Sequence, residues 1–205
     1  MLRLSLLLAL LASTPVGAEC LTEASLDSGV MFTRADGRTG SAVRGPRDVL
    51  RIDYALGDAN RIDRVEAKYG IFTQKALDRL GPPGTPATET IFRRAGRQKA
   101  PQAGEAWKTR LSIVAETEAV PPARPVKSRA DYQVTYSYQS EQTVTLSGCK
   151  YRMIPVEATF VGDTAHFTRR WDYFPELGLG LETRYTDHRT GIDTRLDLKA
   201  LRAPQ

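Results

Sequence analysis

Two histidines, two cysteines and a set of large aromatic residues carry most of the chemical potential of this 205-residue chain. His166 alternates with Phe167, and His188 sits in the turn-like stretch Thr186–Gly191. Neither recurs with acidic residues at the spacing of a common zinc set, so no metal centre and no cofactor is predicted. The chain holds no Gly-x-Ser-x-Gly elbow, no His-Glu-x-x-His and no glycine run that would cradle a phosphate. Asp193 and Asp197 share a strand face with Arg195 between them, which is the pattern of a solvated charge ladder. Catalysis is therefore not expected.

Cys20 and Cys149 are the only cysteines, and no Cys-x-x-Cys redox pattern is present. In an exported chain such a pair is expected to bridge. Closing a loop of well over 100 residues restricts the unfolded chain by about 5 kcal/mol in the loop-entropy picture.

The aromatic residues form a stripe. Tyr132, Tyr136 and Tyr138 recur at even spacing, and Trp107, Trp171 and Tyr173 extend them from neighbouring segments. On a concave face these six rings would hold an acyl chain or a peptide, with tyrosine hydroxyls fixing its orientation. The alternative is that the same rings simply fill the core of a β domain.

The elements that must position these residues read as strands. Asp48–Tyr54 puts Leu50, Ile52 and Tyr54 on one side, and Arg64–Ile71 puts Val65, Ala67, Tyr69 and Ile71 on one face. Trp107–Ala115 and Asp131–Tyr138 alternate in the same way, and Ile192–Ala200 places Ile192, Thr194, Leu196, Leu198 and Ala200 inward. A helix would scatter these residues around its circumference, whereas a strand sorts them onto two faces. Turn signals fall between the runs at Asp36-Gly37, Gly162-Asp163 and His188–Gly191. Thr73–Leu80 reads as a helical turn and Thr88–Arg94 as a short strand. The expected fold is mainly β with little helix: one antiparallel meander forming a curved open sheet or a flattened barrel.

The start of the chain decides the compartment. Met1-Leu2-Arg3 precedes an apolar run from Leu4 to Ala12, and small residues lead to Ala18. This predicts a signal peptide over 1–18, cleavage after Ala18, and one β-rich domain over 19–205. Glu19, not a small residue, precedes Cys20, which favours plain cleavage over lipid attachment. No later segment is apolar enough to span a bilayer as a helix.

Net charge is +5, with 12 prolines. Ten basic and four acidic residues lie between Arg79 and Arg129, and so do seven of the prolines. Proline fixes φ and lacks the ladder donor, so basic loops are expected at about 81–106 and 118–129. Nucleic acid is not an expected partner, since no basic recognition helix is apparent.

Within the C-terminal third, Tyr151–Glu157 is followed by Arg170-Trp171-Asp172-Tyr173-Phe174-Pro175-Glu176-Leu177-Gly178 and then by a strand ending in Tyr185-Thr186-Asp187. This order resembles the closing strands of the lipoprotein-carrier and RseB-like group of Gram-negative envelope proteins. The resemblance implies a half-open curved sheet whose concave face accommodates acyl chains. The expectation is an exported periplasmic protein, a non-enzymatic binding module for an apolar ligand or an envelope component. The alternative is a structural or assembly protein that contacts another envelope protein.

Overall fold

A computed structural model describes residues 20–204 apart from positions 56, 59 and 121; the predicted leader and its cleavage site lie outside the described residues. One short helix, α1 (Ser25–Ser28), precedes the strands β1 (Val30–Arg34), β2 (Thr39–Arg44) and β3 (Val49–Asp53). There follow β4 (Arg61–Lys68), β5 (Phe72–Leu80), β6 (Thr88–Arg94), β7 (Ala106–Thr117) and β8 (Val126–Tyr138). The chain then forms β9 (Gln142–Leu146), β10 (Cys149–Val161), β11 (His166–Phe174) and β12 (Leu179–Asp187), and finishes with β13 (Asp193–Arg195) and β14 (Leu198–Arg202).

All fourteen strands belong to one antiparallel sheet, in the order β13-β12-β11-β10-β8-β7-β6-β5-β4-β3-β2-β1-β14, with β9 paired to β10. Nearly every strand pairs with its neighbour in sequence, which is the meander expected from the alternation. No helix among the described residues is long and apolar enough to cross a membrane.

Five details depart from the sequence expectations. The strand expected over 64–71 stops at Lys68, and the loop expected at 118–129 stops where β8 begins at Val126. Thr73–Leu80 belongs to β5: Lys75 and Ala76 pair with Glu66 and Val65 of β4, and this cross-strand pairing overrides the helix preference of Gln-Lys-Ala-Leu. Residues 81–106 are not one loop, because β6 runs through them as the short strand that Thr88–Arg94 suggested. Ile192–Ala200 is not one inward-facing strand. It divides at Leu196-Asp197, Ile192 is exposed, and the two halves pair with opposite ends of the sheet.

That division leaves the sheet open while holding its ends together. β13 pairs with β12 and β14 with β1, and among the described residues no ladder closes a barrel. Leu196 N–H donates to the Thr183 carbonyl at 2.8 Å, and Ala35 N–H donates to the Asp197 carbonyl at 2.8 Å. A second contact curls the sheet onto itself. The β4–β5 turn passes through Tyr69 (φ 56°) and Gly70 (φ 71°), and the Tyr69 carbonyl accepts from Gly180 N–H of β12 at 2.8 Å. A side chain on Gly70 would collide with the Gly180 carbonyl, so both turn and strand need glycine at the crossing.

The curled sheet encloses two cores, and β10 serves both. Cys149, Tyr151 and Met153 face a core with Phe32, Ile52 and Leu177, whereas Ile154, Val156, Ala158 and Phe160 face a second with Phe72, Leu111 and Tyr136. The buried parity switches between Met153 and Ile154, where the strand's partners change from β9 to β8 and β11. Cys20 and Cys149 are bridged, with Cα atoms 5.6 Å apart and 129 positions between them in sequence. The bridge fixes the start of the described chain to the first core.

Candidate functional site

The six rings singled out in the sequence come together, and they fill the second core. Tyr136 is 0% exposed, and Tyr138, Trp171 and Tyr173 are also buried; Trp107 and Tyr132 sit half-buried at the ends of the stripe. Trp107 stacks on Tyr136 with centroids 5.4 Å apart, and Phe72 packs edge-on against both rings. Burial pushes the hydroxyls of Tyr138 and Tyr173 up to about 12. The four buried rings thus form interior packing and present no open face to a ligand. Phe160 and Phe167 continue the stripe, stacked at 4.6 Å, and Tyr132 leans edge-on against both.

A buried ion pair beside the stripe was not anticipated. Arg169 of β11 donates to Glu182 of β12 through Nε at 2.8 Å and through Nη2. The Glu182 side chain is 8% exposed and that of Arg169 27%. The guanidinium also lies 5.5 Å over the Trp171 ring, and Arg34 of β1 reaches the Glu182 carbonyl at 3.4 Å. Arg34 in turn covers the Tyr54 ring at 4.7 Å, and burial, with the Glu182 charge nearby, holds that hydroxyl well above its ordinary range. Burial of this pair had one signal in the sequence: Glu182 follows Leu179-Gly180-Leu181 where a solvated strand would have alternated.

The two histidines meet. Their ring centroids are 4.5 Å apart, and His188 Nε2 is 2.7 Å from the Thr168 hydroxyl. No group of three or more His, Cys, Asp or Glu side chains among the described residues is placed to hold a metal.

An up-and-down chain puts alternate turns on opposite rims of the sheet, and the two rims differ. One is closed by α1, the disulfide, the β9 hairpin and the crossing at Gly180. The other carries the turns after β5, β7, β10 and β12. Leu80, Val120, Val126, Val161 and Ile192, the large apolar residues that are exposed among those described, all stand on this second rim, each more than half exposed. Two proline-rich loops are neighbours there: Glu118 N–H donates to the Ala87 carbonyl at 2.9 Å, and Ala87 N–H donates to Glu118 Oε2 at 3.0 Å.

The basic, proline-rich stretch is divided between the two rims, with Pro101 in the loop of Arg97 and Lys99 and Arg124 between Pro122 and Pro125. Loop 95–105 with Arg97 and Lys99 belongs to the closed rim, while Pro82, Pro83, Pro122 and Pro125 stand on the open one. The charges of the open rim are largely balanced, with Lys127 paired to Glu116 and Arg129 to Asp131.

Comparison of the chain with protein-family models, curated proteins and solved structures gave no match.

Proposed function

We propose that this protein is an exported, non-enzymatic β-sheet module of the periplasm that works by holding another envelope protein against its open rim. The carrying observation is the asymmetry of the rims: every large aliphatic side chain exposed among the described residues stands on one of them. Scattered exposed aliphatics need no explanation, but their collection at one end marks a surface of association. Filled packing around Tyr136 turns the binding reading outward, away from the aromatic stripe. The leader-like start of the sequence and the Cys20–Cys149 bridge support export to an oxidising compartment.

Photo-crosslinking residues placed at Val120 and Ile192 on the open rim, and at Lys150 near the disulfide, test this in cells. The expected result is one discrete adduct from Val120 and Ile192, the partner identified by mass spectrometry, with Lys150 silent. Silence at all three positions, or equal labelling at all three, overturns the reading. Saturable binding of a fluorescent acyl probe that is quenched with Trp171 would instead return the function to the interior.

A further inference from the structure

The longest hairpin of the sheet outruns its neighbour. β7 pairs with β8 along the whole length of β8 from Val126, opposite Thr117, to Ser137, opposite Ala106. On its other side β8 is paired to β10 only from Gln133, opposite Val161, to Tyr138. β10 then turns away through Gly162, whose missing side chain lets it pack over the Asp131 carbonyl and the Tyr132 ring; a Cβ there would stand 2.9 Å from each. Residues 126–131 therefore have a strand on one side and, among the described residues, none on the other. Gly162 covers the Asp131 carbonyl, so the open part is 126–130, at about 3.3 Å per residue a free edge of roughly 16 Å. Where the ladder runs out, two adjoining hollows of about 680 and 180 Å³ share Asp131, Tyr132, Gly162 and Asp163.

We propose that this edge of β8 takes an extended segment of a partner protein as an added strand, one with acidic residues on its outward face and apolar residues on its inward face. The proposal deepens the open-rim reading above and rests on it. Unpaired backbone N–H and C=O groups in an extended row are complementary to one kind of ligand, another extended backbone. The side chains set its character. Lys127 and Arg129 point outward and are mostly exposed, and their ion pairs with Glu116 and Asp131 are surface pairs that exchange at little cost. A carboxylate opposite each gives favourable cross-strand pairs. Exposed Ser128 and half-buried Ala130 lie on the same face as Tyr132 and are small, which leaves room for larger apolar residues of the incoming strand beside half-buried Ile113 and Tyr132. A second copy of the chain is the wrong occupant. Two β8 edges paired about Ser128 set Lys127 opposite Arg129, and paired about Arg129 they set that cation opposite itself.

The test uses the full exported chain and synthetic octapeptides that alternate glutamate with valine or isoleucine. A lysine-for-glutamate series and a proline-interrupted series serve as controls. Binding is read by fluorescence anisotropy and located by amide hydrogen exchange. The expected result is slowed exchange at residues 126–130 with the acidic peptide only, and at least tenfold weaker binding to K127E/R129E. The lysine peptide should recover binding to that double variant. Circular dichroism of K127E/R129E, whose exposed sites leave both cores untouched, shows that the variant is folded. Exchange that is unchanged at 126–130 with every peptide, protection that maps elsewhere, or a dimer of the chain protected at this edge each overturns the proposal. If the rim crosslinks appear and K127E/R129E leaves them intact, the edge assignment fails and the open-rim reading stands; if no rim crosslink appears, the broader reading fails first.

Discussion

Glu182→Ala is the most informative single perturbation, because it removes one half of a charge pair that the fold has largely withdrawn from water. The carboxylate accepts two hydrogen bonds from Arg169, and its side chain is 8% exposed. Stranding the partner of a buried pair costs about 3–5 kcal/mol. Arg169 keeps 27% exposure and its place over the Trp171 ring, so water and the indole recover part of that loss. The expected destabilisation is about 2–4 kcal/mol. With a urea slope of roughly 2 kcal/mol/M, the unfolding midpoint falls by about 1–2 M. Trp171, which is buried and in contact with Arg169, reports the transition by its fluorescence. The decisive arm is the double variant R169M/E182M. Replacing both partners with apolar groups of similar volume is often neutral, so it should recover most of the loss suffered by Glu182→Ala. A loss below about 0.5 kcal/mol for the single variant, or a double variant no more stable than the single, would refute the assignment of this pair to the interior.

Asp172 offers a pH prediction. Burial, with the Asp197 charge second, raises its carboxyl from 3.8 to about 6. The native state therefore holds this proton more tightly than the unfolded chain does. The contribution is complete below about 4, declines as pH rises to about 6, and is absent above. Asp172→Asn should abolish that slope and stabilise the protein at pH 7 by about 2–3 kcal/mol, read from urea midpoints between pH 4 and pH 8. Gly180→Ala should cost about 1–3 kcal/mol or prevent folding, because its Cβ would lie 2.5 Å from Cγ1 of buried Ile71; an unchanged thermal midpoint would contradict the crossing. Intact mass under non-reducing conditions should be two hydrogens below the reduced mass. Cys149→Ser should lower stability by at most about 5 kcal/mol, with two free thiols in the oxidised wild type as the contrary result.

Alternation alone determined the class of fold. Leu50 and Ile52 of β3, and Tyr132, Val134, Tyr136 and Tyr138 of β8, sort two by two because a strand sends successive side chains to opposite faces. That rule is local, so a sequence suffices to read it. The pairing of Cys20 with Cys149 was legible too, since two cysteines allow one connection. Tertiary structure decided what local rules leave free. Whether the tyrosine stripe lined a hollow or filled an interior depended on how far the sheet curls, and the curl rests on the contact between Tyr69 and Gly180, about 110 positions apart in the chain. The helix-favouring residues of β5 became a strand because β4 and β6 offered ladder partners on both sides. Ile192–Ala200 looked uniform from end to end, yet its halves joined opposite edges, since hydrogen bonds to β12 and β1 were available to it at once. The open rim and the free edge of β8 are products of unequal strand lengths at neighbouring positions, a property of the assembled sheet that no single stretch of residues contains.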